Sequence, residues 1–185
     1  MKLTVRKREK LTKSETAKIR REGDIPAVLY GQGAENEMAV VQGEEFRAIL
    51  RNMPAGLLST TRFELHDGKH VRHAIIKDIQ YHRTTYAVEH LDLMLLDEKK
   101  EVTVQVPLRI TGVDECVGIK LGGFQRNVKR MLKVRCLPKD IPHGLSLDIR
   151  NLNINESKRL SDVELPNNVR PLAKMSEVAV VIAKR

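Results

Sequence analysis

Residues 12–33 read TKSETAKIRREGDIPAVLYGQG, a short basic segment that crosses Gly23-Asp24-Ile25-Pro26 into an apolar run ending Tyr30-Gly31. Thr12 and Glu15 fit the T-x-x-E pattern in which hydroxyl and carboxylate cap each other's backbone, so a helix is expected after Thr12. It carries Ala17, Ile19 and the arginines, and Gly23 ends it. Pro26 forces Ile25 into extended backbone, and AVLYG then reads as a buried strand. A dense set of cations therefore stands beside the first buried strand of a chain with only three Tyr, three Phe and no Trp.

Outward from this stretch, the first half alternates short strands with one more helix. KLTVRK precedes it as a strand and EMAVVQ follows as another. In GEEFRAILRNM, Phe46, Ile49, Leu50 and Met53 recur at the spacing of one helical face. TTRFELH and HVRHAIIKDIQYH flank Asp67-Gly68, the dipeptide favoured at the centre of a tight hairpin turn. In YAVEHLDLML, Val88, His90 and Asp92 share one face while Leu91 and Leu93 share the other.

The polar run DEKKE (residues 97–101) separates a second half built of VTVQVPLRITG, MLKVRCLP, LSLDIRNL and VAVVIAK, alternating segments punctuated by Pro and Gly. Leu132, Val134 and Cys136 point inward and Lys133 and Arg135 outward. The expected architecture is mainly β with short helices, in two domains: residues 1–96, a linker at 97–101, and a β-rich domain at 102–185.

The 185 residues carry a formal charge of +9, unevenly spread. Residues 1–21 hold nine Lys/Arg against Glu9 and Glu15, net +7; residues 22–98 come to −6 and residues 99–185 to +8. A basic edge on an acidic body points to a polyanionic partner. No run of 18 apolar residues suggests a membrane span. The charged start lacks the apolar stretch of a secretory signal, so the chain is expected in the cytosol. Cys116 and Cys136 fit no metal or redox spacing and read as small core residues.

Candidate chemistry is sparse. Gly31 and Gly33 lack the third glycine of a dinucleotide fingerprint, and no phosphate-cradling loop occurs. GIKLGG (residues 118–123) reads as a bend or a close backbone approach. His70 and His73, three apart in a strand, face opposite ways and make a poor metal pair. No metal, cofactor or small-molecule substrate is expected.

His90 and Asp92 share a strand face. They fit an acid–base dyad, a donor/acceptor pair for base edges and 2′-hydroxyls, or a solvated surface. Lys13, Ala17 and Arg20 cluster on one side of the helix, with Arg8 entering from the preceding strand. Such a cluster suits a phosphate backbone, although charge runs are usually just solvated. Tyr30 ends the buried strand and reads as a core ring whose hydroxyl reaches an edge partner. Few aromatic stackers argue against single-strand binding, and the lack of a long recognition helix argues against major-groove DNA reading. Shape recognition of double-helical RNA fits best.

The motifs K-x-x-x-x-A-x-x-R-R-E-G-D-I-P-A-V-L-Y-G and E-H-L-D-L resemble the bacterial large-subunit ribosomal protein twenty-five family. The second half, with GVDECVGIKLGG, CLPKDIP, LDIRNLNI and VELPNNVRP, is similar to the C-terminal domain of its long general-stress form. The resemblance implies an N-terminal β-barrel that binds the loop E region of 5S ribosomal RNA, and a β-rich C-terminal domain. It implies a cytoplasmic, ribosome-associated, non-enzymatic protein whose partners are 5S rRNA and neighbouring RNA or proteins of the large ribosomal subunit. Carried over by motif, the RNA-contact residues are Arg8, Lys13, Arg20, Arg21, Tyr30, His90 and Asp92. Ser14, Arg83 and Leu93 depart from the family's frequent Gly, Pro and Phe.

In the second domain, Lys120, Arg126, Lys129, Arg130, Lys133, Arg135 and Lys139 occur with no acid between Cys116 and Lys139. RNA contact and the blunting of exposed strand edges account for them equally. Three rival functions differ in kind. One is a tRNA-binding barrel like that appended to glutaminyl-tRNA synthetase. Another is an enzyme using His90 and Asp92, for which no nucleophile or cofactor motif is present. The third is a stress-related interaction protein acting through residues 99–185.

Overall fold

The computed structural model describes residues 1–8, 12–31, 34–54, 56–68 and 70–184, with the backbone alone at residue 34. Glu9, Lys10, Gly33 and Lys69, which entered the sequence reading, lie outside the described residues. The chain divides into two compact units, Met1–Lys100 and Glu101–Arg185.

The first unit is built from β1 (Lys2–Lys7), α1 (Lys13–Arg21), β2 (Ile25–Gly31), β3 (Ala34–Val41), α2 (Gly43–Asn52), β4 (Arg62–His66), β5 (Val71–Tyr81) and β6 (Val88–Leu95). Its six strands close into a barrel in the order β1-β3-β2-β6-β5-β4, with parallel pairs β1–β4 and β2–β6. The barrel encloses what alternation assigns to it: Leu3, Ala27, Leu29, Phe63, Leu91 and Leu93 are buried in one cluster. Helix α2 inserts Phe46 into that cluster and packs Ile49, Leu50 and Met53 against it, the face its spacing implies. Leu93 is fully buried and β5 pairs with β6 along its length, so Arg83 and Leu93 leave the last strands intact.

Short polar links fasten the helices. The Thr12 hydroxyl accepts from the Glu15 amide at 3.3 Å, while Glu15 Oε2 is buried without a partner among the described residues, so only half of the capping box forms there. Glu45 accepts from the Thr4 amide at 2.8 Å and from its hydroxyl at 2.9 Å. Asp24 pairs with Arg6 and accepts from the Gly43 amide at 3.3 Å. Gly23 ends α1 at φ +87°. Its carbonyl lies so close to Gly43 that a Cβ there would sit 1.8 Å from the oxygen.

Two readings need correction. Asp67 donates its amide to the His70 carbonyl at 3.2 Å, so it flanks the hairpin turn, and Gly68, at φ +62°, occupies the left-handed position. Tyr30 is not a core ring. Ala27 and Leu29 take the inward positions of β2, so Tyr30, one residue on, faces out and is half-buried.

The second unit holds β7 (Val102–Thr111), α3 (Val117–Lys120), β8 (Gly123–Asn127), β9 (Met131–Cys136), β10 (Leu145–Asp148), β11 (Ser157–Arg159), β12 (Arg170–Pro171) and β13 (Val178–Lys184). They form a four-stranded sheet, β10-β7-β9-β12, and a three-stranded sheet, β11-β13-β8. Cys116 and Cys136 are buried free thiols, and burial, then Asp140 and Glu101, push the Cys136 thiol up from its ordinary range. Within GIKLGG, Gly118 and Gly123 serve close approach, since an added Cβ would lie 2.8 Å from the Asn153 carbonyl carbon and 2.7 Å from the Gly118 oxygen, respectively. Gly122 instead has open space around it and turns the chain at φ +92°.

Replacing Gly43 with Ala is expected to destabilise the first unit by about 1–3 kcal/mol, the usual cost of forcing extra volume into a packed site. Urea unfolding followed by far-UV circular dichroism reads this. An unchanged midpoint would contradict the Gly23–Gly43 contact.

Candidate nucleic-acid interface

In β2 and β6, burial of Ala27, Leu29, Leu91 and Leu93 sends the alternate side chains to the barrel's outer wall. The register sets Val28 beside Asp92 and Tyr30 beside Met94. His90 Nδ1 lies 2.9 Å from Asp92 Oδ1, within ion-pair range but without the alignment of a hydrogen bond. The two side chains remain 23% and 35% exposed, so both can reach an outside partner.

The same register adds two residues that the sequence reading missed. Asp78 stands opposite Asp92, and Gln80 opposite His90. Strict alternation from Ala74 and Ile76 would turn Asp78 inward. A bulge between Ile76 and Asp78 shifts the phase, so Ile79 packs on the core and Asp78 and Gln80 are exposed. The visible signal is the apolar spacing Ala74, Ile76, Ile79, a period of two broken once.

Helix α1 lies against this wall. It buries no residue fully; its half-buried Ile19 shares a cleft of ≈ 490 Å³ with Val40, Arg6, Lys7 and Arg8. Arg20 Nε donates to the Glu89 carbonyl at 3.1 Å, which ties the helix to the start of β6, next to His90. Arg8 Nη1 donates to the Thr16 hydroxyl at 3.2 Å, while its buried Nε has no partner among the described residues. Lys13 is exposed at the helix start, and Arg21 Nε turns back to the Ala17 carbonyl at 3.3 Å. Tyr30, His90, Asp92 and Arg20 thus gather on adjoining elements, whereas Lys13 and Arg21 lie elsewhere on the helix and Arg8, just after β1, reaches it through Thr16.

The surface that results has a cationic border and a wall bearing two carboxylates. Burial first, then the charges of Asp92 and Asp78, raise the Tyr30 phenol above its ordinary 10.0. Phosphates would be repelled by Asp78 and Asp92 and attracted by the guanidiniums. The wall suits groups that donate hydrogen bonds, and the helix suits phosphate. Among the described residues no group of His, Cys, Asp and Glu is arranged to hold a metal ion, and no helix is long and apolar enough to cross a membrane.

Residues 3–93 match the ribosomal L25p family, and residues 101–185 match the C-terminal domain of ribosomal protein TL5. Aligned over 186 residues, spanning all of both chains, the sequence is 42% identical to the large ribosomal subunit protein bL25 of Chlamydia muridarum (strain MoPn / Nigg). The chain belongs to the ribosomal L25p family. Its similarity to L25p relatives extends to the bL25 proteins of Chlamydia abortus, at 42% identity, and Chlamydia pneumoniae, at 39%, again over the whole of each chain. As an L25p protein it is ribosomal and not an enzyme, which removes the acid–base reading of His90 and Asp92.

Because the folded pKa of Tyr30 lies above its unfolded value, folding favours the protonated phenol. Its contribution to stability is intact below pH 10 and is lost as pH rises through the folded value. Asp92→Asn should bring the Tyr30 titration down toward 10 without reaching it, since burial is the larger cause. Ring resonances followed by NMR between pH 8 and 12 test this; an unmoved titration would separate the two side chains.

Proposed function

We propose that the chain is a structural component of the large ribosomal subunit, acting with the ribosome in the bacterial cytoplasm, and that it binds 5S rRNA at its loop E region. The observation that carries this reading is the junction made by Arg20, which joins a helix of exposed cations to a barrel wall of hydrogen-bonding side chains. In the binding proposed, Arg8, Lys13, Arg20 and Arg21 hold phosphates and set register. Tyr30, His90 and Asp92, joined by Asp78 and Gln80, meet base edges and 2′-hydroxyls of an irregular helix. The two carboxylates on the wall favour this division. They accept hydrogen bonds from base amino groups and repel a phosphate chain laid over them.

The second unit supports a further contact with the same particle. Lys133 and Arg135 stand exposed on β9, and Arg170 on β12 is Arg135's cross-strand neighbour. Because β9 pairs with both β7 and β12, these cations do not guard an open edge. Edge protection remains an account of Arg126 on β8, which pairs only with β13 among the described residues. Lys129 is paired with Glu177 at 2.9 Å. We assign the Lys133–Arg135–Arg170 face to neighbouring ribosomal RNA.

Two substitutions separate the roles on the barrel. Arg20→Ala should lower affinity for 5S rRNA by about 1–3 kcal/mol and make the dependence on salt shallower by roughly one counterion. Asp92→Ala should weaken binding with the slope unchanged, since it removes an acceptor and no cation. Filter binding between 50 and 300 mM KCl measures both. Wild-type affinity in Arg20→Ala, or an altered slope in Asp92→Ala, would contradict the assignment. Reversal of charge at Lys133 and Arg135 together should reduce co-sedimentation with large subunits while affinity for isolated 5S rRNA stays as it was. Unchanged co-sedimentation would remove the second face from the account.

A further inference from the structure

A second cavity, of ≈ 270 Å³, opens where the C-terminal end of α1 and helix α2 meet the loop between β5 and β6. Its walls include Arg20, Arg47, Tyr81, His82, Tyr86 and Glu89. Two of the chain's three tyrosines therefore stand at one opening, away from the core. They are 46% and 77% exposed.

Tyr86 occupies an unusual position. The loop closes by the His82 amide donating to the Ala87 carbonyl at 2.8 Å and the Tyr86 amide donating to the His82 carbonyl at 3.0 Å. This geometry holds Tyr86 at φ +56°, a left-handed backbone that suits Gly or Asn and strains a bulky residue. The ring recovers little by burial, because most of it faces solvent. Neither the backbone nor the packing of this chain accounts for a tyrosine there, whereas contact with another molecule does.

The rest of the wall identifies the chemistry. Arg20 is anchored to the Glu89 carbonyl, and Arg47 Nη1 donates to the Gly23 carbonyl at 3.3 Å, so each guanidinium is aimed while keeping other N–H groups to offer. His82 Nδ1 accepts from the Thr84 amide at 3.4 Å and the Thr85 amide at 3.2 Å. Those bonds put the ring proton on Nε2 of the neutral imidazole, as a donor. Of the acids in the wall, Asp24 is engaged by Arg6 and the Gly43 amide, which leaves the Glu89 carboxylate as the acceptor without a partner among the described residues.

We propose that this cavity takes one unpaired nucleotide of the bound RNA. The base stacks on the Tyr86 ring beside Tyr81, and Arg47 and His82 donate to the phosphate. Aromatic faces beside guanidiniums are the combination that holds single nucleotides. Glu89 adds an acceptor for an exocyclic amino group, so a base carrying one is preferred to uracil. The proposal rests on the RNA-binding reading above, and it adds a site for a nucleotide outside the helix that the barrel wall would meet.

Tyr86→Gly tests it, because glycine removes the ring and relieves the left-handed backbone. In the full chain the variant should keep or raise the melting temperature and lose roughly ten-fold in affinity for 5S rRNA, with an unchanged salt slope. Titration of the wild type with AMP should shift the amides of Arg47, Tyr81 and His82, UMP should shift them less, and Tyr86→Gly should abolish the response. Wild-type affinity for 5S rRNA in Tyr86→Gly, beside lost binding in His90→Ala, would overturn the cavity proposal while leaving the RNA reading in place. If the wild type fails to bind 5S rRNA, that reading falls, and the AMP titration alone decides the cavity: no shift at those three residues overturns it.

Discussion

The parallel pairing of β2 with β6 sets the rest of the molecule. Ala27 aligns with Leu91 and Leu29 with Leu93, and all four are buried. A strand has only two faces, so burying these residues places Val28, Tyr30, His90 and Asp92 on the outer wall. A slip of one residue in β6 would expose its leucines and drive His90 and Asp92 into an apolar core, at the full cost of desolvating them. The core thus enforces the site: hydrophobic burial holds the polar wall in register, and the 2.9 Å contact of His90 with Asp92 follows from it.

Helix α1 follows from a different balance. With no fully buried side chain, it draws little from the hydrophobic effect, and its attachment depends on Ile19 and on polar ties. Arg20 to the Glu89 carbonyl and Arg8 to the Thr16 hydroxyl are the two that matter for the site. Nine positive charges are concentrated in residues 1–21. Crowding them on one short segment costs self-repulsion, which a polyanion would relieve. An element that packs weakly, carries concentrated charge and joins a rigid barrel is suited to adjust its cations to a phosphate backbone while the barrel keeps its form.

Much of this was legible in the sequence. The Thr12 cap, the stop at Gly23, the Pro26 boundary and the Phe46–Met53 face each rest on local chemistry that tertiary packing did not override. Alternation in β6 was enough to pair His90 with Asp92. What escaped was set by non-local register. Asp78 joins the wall only because β5 bulges past Lys77, and Tyr30 turns outward because Leu29 wins the inward position. The hairpin turn slid by one residue because the Asp67–His70 backbone bond, not dipeptide preference, fixes its frame. Tyr86 gave no signal at all, since a left-handed tyrosine can be seen only in the folded loop.

The central claim is that a barrel wall bordered by cations reads the shape of an irregular RNA helix. The most direct measurement compares binding of the full chain to 5S rRNA and to the same RNA with loop E replaced by regular duplex, each titrated with salt. The account predicts tight binding that the replacement abolishes, with a residual, steeply salt-dependent affinity from phosphate contacts alone. Equal binding to the two RNAs would mean that the surface is a general polyanion patch, and the assignment of Tyr30, His90 and Asp92 to groove reading would fail.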